Sequence, residues 1–421
     1  MKNTKLVIYV SIIVSVLPFI WLFTQSKLVG GDVYALANIA GLVGGSLLLW
    51  QFLLGFRLFS SLITKDLISV NDAHKTLGKY GIIFILIHPL LQLNAYGSSI
   101  FLSFDLSSEF MRHVIAGRTA FYLYLIVWVT SALLRSKIKY RPWAYIHYLS
   151  YPILLGVFLH ARDIGTFIRT VPLVSLYWNA LTIIFFVALC IRILYYFNVF
   201  KKRASLTKKT KVTDTITIFT LALKDRLDIE PGQFVNIRYS FFSEAHPYSV
   251  MEINKNGKEI TLGIKSVGPH SKGFADVPTG TTLYIDGPYG IFTQQADARP
   301  NVILAGGIGI TPFVEFVQRN PDNTYVFNSN RTTKDIIYRK VFQKILGNRY
   351  VDIVTQEKAK GKNVETSRIT SSTIKKYVPD TILKECNVFI CGNKSFMNAC
   401  ASYLQELGVD PQRIYLEAFS I

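Results

Sequence analysis

The sequence HKTLGKYGIIFILIH, from His74 to His88, begins and ends with histidine and lies in an apolar segment long enough to cross a bilayer. A second apolar segment, HYLSYPILLGVFLH, runs from His147 to His160 and has the same arrangement. An ionisable side chain inside a membrane is costly and marks a candidate functional site, although one such histidine can simply form an interhelical hydrogen bond. Two matching pairs predict stacked metal centres.

The spacing within each pair predicts where the rings lie. Fourteen residues separate His74 from His88, which is roughly 21 Å along a helix with an offset of about 40°, so one ring lies near each leaflet. Thirteen residues separate His147 from His160, and an ideal helix would place these rings about 140° apart. Pro152 lies between them and predicts a kink that restores a common face.

Apolar stretches in the first half of the 421-residue chain predict six membrane spans. They cover residues 6–23, 36–59, 74–95, 116–134, 143–160 and 172–200. Basic residues are concentrated in the loops on one side of these spans, so the positive-inside rule predicts that both termini are cytoplasmic. Spans three and five then run in the same direction.

Parallel spans predict two tiers of histidines. His74 meets His147 near the cytoplasmic side, and His88 meets His160 near the outer side. Such tiers match the bis-imidazole ligation of two haems, and because no CxxCH sequence is present to attach haem covalently, we predict two b-type haems. Zinc fits less well, because each tier offers two ligands and zinc usually takes four.

The chain has a net charge of +19, and a strongly positive charge is also found in proteins that bind nucleic acid. Much of it lies in the membrane-flanking loops and in residues 201–211, where anionic lipid is the expected counter-charge. The sequence has no nucleic-acid-binding motif. We therefore expect the lipid bilayer, and no nucleic acid, as a partner.

From about Ala204, short alternating strands replace the apolar spans. Three short segments follow: His246-Pro247-Tyr248-Ser249, Gly268-Pro269-His270-Ser271, and Asp286 to Gly290. Each of them, taken alone, is more often a turn than a binding site. After a short buried strand comes AGGIGITPF, from Ala305 to Phe313. Its glycines allow the pyrophosphate of a dinucleotide to approach backbone amides at the start of the next helix, although such a turn also occurs without a ligand.

In order and spacing, these segments resemble the ferredoxin-NADP reductase family. The resemblance covers nearly all of the C-terminal half and implies an antiparallel β-barrel FAD domain at 204–297 and an α/β NADPH-binding domain at 298–421. Together with the six-helix transmembrane two-haem bundle predicted at 1–203, they make a multi-domain membrane protein. It also implies that Tyr248 packs on the isoalloxazine and that Ser271 lies at the pyrophosphate. The implied flavin contacts are His246, Pro247, Tyr248, Ser249, Gly268 and Ser271.

The same resemblance assigns the nucleotide side. It implies an NADPH-binding turn at Gly306, Gly307, Gly309, Thr311 and Pro312, and a second nucleotide motif at Cys391 and Gly392, with the thiol near the nicotinamide. Arg331 and Thr332 match the segment that meets the 2′-phosphate, which favours NADPH over NADH because a guanidinium suits phosphate. Phe419 matches the aromatic residue that covers the flavin, so we expect it to gate hydride transfer.

With the bundle included, the whole chain resembles the NADPH oxidase and ferric reductase superfamily, and the histidine spacings resemble its oxidase branch. The resemblance implies that electrons pass from NADPH through FAD and two haems to oxygen outside, forming superoxide. Gln92 and Arg162 lie near the outer histidines in the sequence and are candidates for that outer edge. A ferric or cupric chelate reductase, and an electron-transfer subunit that reduces quinone or a partner protein, are alternatives.

The sequence has no calcium-binding loop before the bundle and no long regulatory insertion in the second half. We therefore expect a constitutively active enzyme without an obligatory protein partner. Its compact loops indicate a bacterial cell membrane protein.

Overall fold

The computed structural model describes residues 2–22, 24, 32–99, 103–240 and 243–418. The chain divides into two compact units, Met1–Tyr196 and Phe197–Ile421. The first unit has one apolar core made by its helices. The second has a core inside a barrel and further apolar clusters on both sides of a sheet.

The described part of the first unit consists of helices joined by short non-helical segments. Its helices are α1 (Lys2–Trp21), α2 (Asp32–Leu54), α3 (Arg57–Ile63), α4 (Leu67–Tyr80), α5 (Ile82–Tyr96), α6 (Glu109–Trp128), α7 (Tyr140–His147), α8 (Ser150–Ile164), α9 (Thr166–Thr170) and α10 (Pro172–Tyr196). Within the described residues, six helical segments are long and apolar enough to cross a membrane. The predicted six-span bundle is confirmed.

Local chemistry sets several helix boundaries. The Asp66 carboxylate accepts a hydrogen bond of 3.1 Å from the Ser69 amide and caps α4, and the Ser108 hydroxyl accepts one of 3.1 Å from the Met111 amide at the start of α6. Each cap satisfies an amide that a helix start leaves without an internal partner. A π-helical turn, Val129–Leu133, follows α6 directly.

Both histidine-bearing spans are broken into two helices. The fifth span breaks at Tyr148 and Leu149, between α7 and α8. Pro152 explains this break, because proline cannot donate to the carbonyl four residues earlier, at Tyr148, and its ring crowds that carbonyl. The third span breaks at Gly81, between α4 and α5. The third span therefore crosses as predicted, but the stretch from His74 to His88 is not one ideal helix.

The second unit begins with a closed antiparallel barrel. Its strands are β1 (Lys202–Lys211), β2 (Ile216–Leu223), β3 (Phe234–Arg238), β4 (His246–Ile253), β5 (Glu259–Lys265) and β6 (Thr282–Tyr289), in the order β1-β2-β5-β4-β3-β6. Alternate side chains point inward, as the period of a strand requires. Helix α11 (Pro269–Asp276) connects β5 to β6 and buries Phe274 in the barrel core.

A parallel α/β domain follows the barrel. Its strands are β7 (Asn301–Gly306), β8 (Thr324–Asn330), β9 (Tyr350–Val354), β10 (Val364–Glu365), β11 (Asn387–Gly392) and β12 (Ile414–Ala418), in the order β10-β9-β8-β7-β11-β12. Its helices are α12 (Val314–Arg319), α13 (Arg339–Leu346), α14 (Ser371–Tyr377), α15 (Asp380–Glu385) and α16 (Lys394–Glu406). The strand order reverses between β7 and β11, and ligands of such sheets bind beyond the strand ends at this point. The predicted fold of this half is also confirmed.

Candidate functional site

The bundle brings the four membrane histidines together in two pairs. The ring centres of His74 and His147 are 6.1 Å apart, and those of His88 and His160 are also 6.1 Å apart. Two imidazoles that bind one metal ion from opposite sides, through bonds of about 2 Å, have ring centres roughly 6 Å apart. Each pair therefore has the spacing for one shared metal ion.

Hydrogen bonds orient three of the rings through Nδ1. His74 bonds the Gln51 carbonyl at 2.9 Å, His88 the Ala37 carbonyl at 2.8 Å and His160 the His113 carbonyl at 2.9 Å. A carbonyl can only accept, so Nδ1 carries the proton in the neutral ring and Nε2 is left to bind a metal.

His147 is held differently from the other three. Its Nδ1 lies 3.3 Å from the Ser131 hydroxyl, which also accepts a hydrogen bond of 3.1 Å from the Trp143 indole. The Trp143 ring stacks on His147 with centres 4.9 Å apart. Ser131 lies in the π-helical turn after α6, and such turns are frequent at functional sites.

Two glycines make room for the outer rings. A Cβ atom at Gly41 of α2 would lie 2.7 Å from Nδ1 of His88, and one at Gly117 of α6 would overlap the ring of His160. Both contacts would be closer than van der Waals packing allows. The outer rings therefore lie directly against helix backbone.

A cavity opens beside the outer pair and is lined by both of its rings. Counted with its open side, it has a volume of about 1370 Å³. Most of the lining is apolar. Gln92 and Tyr124 contribute a buried side-chain oxygen each, and neither oxygen has a hydrogen-bond partner among the described residues.

The polar residues near the outer pair differ in part from those we expected. Gln92 lines the cavity, whereas Arg162 is exposed and does not line it. Arg118 lines it instead and donates a hydrogen bond of 2.9 Å to the Ser103 carbonyl. We had not singled out Arg118 or Tyr124, although an arginine within an apolar span is itself a signal.

The chemistry of the donor set fits haem. In the part of the chain that the structure describes, no three histidine, cysteine, aspartate or glutamate side chains are grouped to hold a metal ion. Each tier therefore supplies two imidazoles, which is the axial set of a haem iron whose other ligands belong to the porphyrin, and half of what zinc usually takes.

The predicted flavin segment starts strand β4. His246, Tyr248 and Ser249 pair with Ile237, Val235 and Phe234 of β3 in the barrel. Tyr248 is partly buried, and its ring stacks on Phe274 of α11 with centres 5.7 Å apart. Burial raises the pKa of the Tyr248 hydroxyl, so it stays protonated at neutral pH. Pro247, between these residues, is exposed.

The hydroxyl of Ser271 forms its hydrogen bonds at the start of its own helix. Its hydroxyl accepts hydrogen bonds of 3.0 Å from the amides of Val267 and Gly268 and donates one of 3.1 Å to the Gly268 carbonyl. Gly268 is the residue before α11 and Ser271 lies in its first turn. Both predicted residues therefore lie at a helix start, where anions bind, but the serine hydroxyl is already engaged.

The predicted nucleotide turn lies at the switch point of the sheet. Gly306 ends β7, and Gly307 follows with φ of 60°, a conformation that glycine adopts at little cost. A Cβ atom at Gly309 would overlap the Cys391 carbonyl, so this turn lies directly against the end of β11. Thr311 is buried and donates a hydrogen bond of 3.0 Å to the Ile308 carbonyl, and Pro312 lies in the same 3₁₀ segment.

Cys391 and Gly392 end β11 beside that turn. In the sheet register, Cys391 pairs with Ala305 on one side and with Glu417 on the other. Burial, with a smaller contribution from Glu417, raises the pKa of the Cys391 thiol well above its usual value. Burial raises the pKa of Glu417 to about 7. The thiol therefore stays protonated, whereas the carboxyl changes charge near neutral pH.

Arg331 and Thr332 lie just beyond β8. The Arg331 side chain is exposed, while its carbonyl accepts a hydrogen bond of 2.9 Å from the Gln356 amide. The Thr332 hydroxyl donates one of 2.9 Å to Asp335 and is therefore engaged within the loop. Of these two predicted residues, Arg331 is therefore the one whose side chain remains accessible to a phosphate. Phe419, the predicted gate, lies outside the described residues.

Family models match three consecutive parts of the chain. They are a ferric reductase like transmembrane component over residues 40–158, an oxidoreductase FAD-binding domain over residues 203–294 and an oxidoreductase NAD-binding domain over residues 303–402. The first match includes His74, His88 and His147 and ends two residues before His160. The chain is thus a multi-pass membrane protein with an FAD- and NAD-dependent oxidoreductase module. This is the domain architecture of the NADPH oxidase and ferric reductase superfamily.

Curated relatives match about half of the chain. A flavohemoprotein of Oceanobacillus iheyensis is 25% identical over 246 residues, which are 50% of this chain and 57% of the relative. The 2-halobenzoate 1,2-dioxygenase electron transfer component of Burkholderia cepacia is 26% identical over 220 residues, which are 48% of this chain and 62% of the relative. The chain therefore spans about three fifths of the length of these relatives.

A solved structure of the FAD/NAD-binding domain of nitric oxide dioxygenase from Vibrio cholerae also matches. It is 21% identical, with a TM-score of 0.46, and the match covers 52% of this chain and 98% of that one.

Proposed function

We propose that this protein is a transmembrane NADPH oxidase that transfers electrons from cytosolic NADPH to oxygen outside the cell and forms superoxide. The observation that carries the proposal is the pair of histidine tiers in one bundle, each with ring centres 6.1 Å apart, in a chain that also has FAD- and NAD-binding domains. Its cofactors are FAD and two b-type haems. When bound, FAD accepts a hydride and releases single electrons, which the haems conduct.

Each tier would hold one of the two haems. His74 and His147 would bind the inner one, and His88 and His160 the outer one. The Nδ1 hydrogen bonds of His74, His88 and His160 fix these rings before any metal is bound. Such orientation lowers the conformational cost of binding, as it does at other metal sites.

The outer cavity supports a small neutral acceptor. His88 and His160 would hold the outer haem between them, so the acceptor would take its electron without binding the metal ion. The lining that would surround the outer haem is mainly apolar and offers few groups that could bind a charged metal chelate, so oxygen is the acceptor we favour. Gln92 and Arg118 are the polar side chains of this lining that would contact the acceptor or a propionate.

On the nucleotide side, the turn at Gly306 to Gly309 would hold the pyrophosphate of NADPH and Arg331 its 2′-phosphate. Cys391 would lie near the nicotinamide. It would not act as a nucleophile, because its thiol stays protonated. Glu417 lies beside it and would carry a negative charge above about pH 7. A negative charge here stabilises the positive ring that forms when NADPH loses hydride.

In this proposal the protein lies in a bacterial cell membrane, with both termini and the reductase unit in the cytoplasm. Its partner is the bilayer, and it needs neither nucleic acid nor an obligatory protein partner. The transmembrane match to a ferric reductase like component favours a second function, the reduction of ferric or cupric chelates. An electron-transfer subunit that serves quinone or another protein would use the same cofactors.

The deciding experiment is cytochrome c reduction by the purified, haem-loaded protein with FAD and NADPH in air, with and without superoxide dismutase. We expect dismutase to abolish the signal, because superoxide carries the electrons to cytochrome c. A signal that resists dismutase, together with rapid reduction of ferric or cupric chelates, would replace the oxidase with a chelate reductase. Oxidation of NADPH only when quinone is added would indicate an electron-transfer subunit.

A further inference from the structure

Helix α10 places an arginine beside the inner histidine tier. Arg192 lies within the membrane-spanning segment Pro172–Tyr196 and is partly buried. It forms no ion pair with a carboxylate among the residues that the structure describes. A cation inside a membrane is costly, and it usually pairs with an anion or serves a functional site. Arg192 is therefore a cation whose counter-charge the described residues do not supply.

Three aromatic rings surround its guanidinium. The central carbon of the guanidinium is 5.3 Å from the ring centre of Phe56, 5.4 Å from that of Tyr151 and 5.8 Å from that of Phe52. Aromatic faces attract a cation, but they do not satisfy the five N–H donors of a guanidinium. In the described part of the chain, one hydrogen bond forms, from Nη1 to the Gly55 carbonyl at 3.1 Å. The other donors can therefore take an acceptor oxygen.

The guanidinium lies close to both inner histidines. The Gly55 residue that accepts its hydrogen bond is against the ring of His74, because a Cβ atom at Gly55 would lie 3.5 Å from Cε1 of that ring. Cε1 is bonded to Nε2, the nitrogen that is left to bind a metal. The positive charge of Arg192 also acts on the rings of both His74 and His147. Arg192 thus lies beside the group that these two histidines would hold.

The contacts of Arg192 lie on the inner side of α10. Phe52 and Phe56, which its guanidinium meets, are buried. The next two residues along α10, Ile193 and Leu194, are 49% and 43% exposed and form the outward face of the helix. A long basic side chain that served a lipid phosphate would extend toward the membrane surface. These contacts favour an anion inside the bundle over a lipid headgroup.

We propose that Arg192 binds a propionate carboxylate of the inner haem, and that this ion pair both retains the haem and favours its reduced state. The inference rests on the proposed haem ligation by His74 and His147, because haem is the group that would bring an anion to this place. A guanidinium can bind a carboxylate through two parallel hydrogen bonds. The surrounding rings exclude water, so the two charges attract each other more strongly than at an open surface.

The charge of Arg192 gives the direction of the redox effect. Ferric haem carries one more positive charge than ferrous haem, so a nearby cation stabilises the reduced form. Arg192→Met removes the cation and leaves the carboxylate unpaired, and both changes favour the oxidised form. At the potential where the inner haem of the wild type is half reduced, we expect the ratio of reduced to oxidised haem in this variant to fall about tenfold. That change corresponds to about 59 mV for one electron.

The test compares haemin with haemin dimethyl ester, whose esterified propionates carry no charge. Each is titrated into the full-length, haem-depleted protein in a neutral detergent without phospholipid, and Soret absorbance follows binding. The wild type should bind two haemins per chain, and Arg192→Met should weaken one of the two steps by about tenfold or more, since a charge-assisted pair is lost. For the ester, the two proteins should differ by less than about twofold at both steps.

Three further variants assign the effect. His74→Ala should abolish the step that Arg192→Met weakens, whereas His88→Ala should abolish the other one. Arg192→Lys should recover part of the affinity for haemin and most of the potential, because lysine keeps the charge and loses the bidentate geometry.

Different failures have different meanings. Equal weakening of haemin and its ester in Arg192→Met would show that Arg192 only packs against its rings, and wild-type affinities would show that it meets no propionate. An unchanged potential would also contradict the ion pair. Each of these results, obtained with two haems bound to the wild type, would overturn this inference alone. A wild-type chain that binds no haemin would overturn the haem ligation and this inference together.

Discussion

The two units of this protein build their candidate sites by different means. In the membrane unit, four imidazole side chains define the site, and the ring centres of each pair are 6.1 Å apart. In the reductase unit, the nucleotide site is formed by strand ends and turns, where Gly309 lies against the Cys391 carbonyl. The membrane site therefore depends on which side chains are present, whereas the nucleotide site depends on which backbone conformations are allowed.

The difference predicts which substitutions each unit tolerates. Removing one imidazole deletes half of the protein ligands of a tier and leaves the helix backbone in place. Adding one Cβ atom to the nucleotide turn deletes nothing and still closes the site, because the strand ends are already in contact. Substitutions in the two units test this contrast.

Replacing His88 with alanine should have the largest effect, because it removes one of the two imidazoles proposed to hold the outer haem. We expect the haem content to fall from two to one per chain and acceptor reduction to stop, while FAD binding is unchanged. Absorbance of the pyridine haemochrome measures the haem content. His113→Ala is the matched control, because His113 anchors His160 through its carbonyl and not its ring. Two haems in the His88 variant would refute the ligand assignment.

Gly309→Ala should reduce the rate of flavin reduction by NADPH by about a hundredfold or more, because the added Cβ overlaps the Cys391 carbonyl and must displace a strand end. Stopped-flow absorbance of the flavin measures this rate. Gly307→Asn serves as the comparison: no atom lies within 4 Å of a Cβ there, and asparagine tolerates the φ of 60°. If both variants reduce flavin at the wild-type rate, the turn does not bind NADPH.

Arg331→Ala should raise the KM for NADPH by about tenfold or more and leave the KM for NADH nearly unchanged, because the contact proposed for its guanidinium is with the 2′-phosphate, which NADH lacks. Steady-state kinetics with both nucleotides give the ratio. Arg331→Lys should recover part of the effect, since lysine keeps the charge and loses the bidentate geometry. Equal changes for the two nucleotides would remove the phosphate role.

Glu417→Gln should flatten the pH dependence of hydride transfer. Because burial raises the pKa of Glu417 to about 7, the wild-type carboxyl is neutral below that pH and negative above it. We therefore expect the wild-type rate of flavin reduction to rise severalfold through pH 7, since the charge stabilises the positive nicotinamide product. The glutamine variant should stay at the low-pH rate throughout. A rise in both proteins would assign the pH dependence to another group.

Ser131→Ala should have the smallest effect and separates the two tiers. The hydroxyl lies 3.3 Å from Nδ1 of His147, and its loss costs about 1 kcal/mol when a neutral hydrogen bond is removed. We expect the inner haem to dissociate a fewfold faster, while the outer haem keeps its wild-type rate. If the outer haem dissociates first in this variant, Ser131 does not support the inner haem through its hydrogen bond to His147.

Much of the membrane unit could be predicted from the sequence, because apolar length and histidine spacing are local properties. Pro152 indicated a break in the fifth span for the same reason. Gly81 did not indicate one in the third, since glycine within a helix is often tolerated and the surrounding packing decides the outcome. Arg118 and Tyr124 were missed because their position beside the cavity depends on how separate helices pack.

The reductase unit was predicted mainly through resemblance. Its glycine turn and its HPYS segment mark a known fold, but no single segment would have identified a site. The sequence could not show that the Ser271 hydroxyl is used by its own helix, or that His270 stacks on His246 from a different element. Both facts depend on tertiary contacts between β4 and α11.

The central claim is that electrons from NADPH reach two bis-histidine haems in one chain. The most direct measurement is the optical spectrum of the purified, FAD-supplemented protein, mixed with NADPH under nitrogen and compared with dithionite reduction and with the measured haem content. We predict two haems per chain and full reduction of both by NADPH. One haem or none per chain, or two haems that only dithionite reduces, would contradict the account.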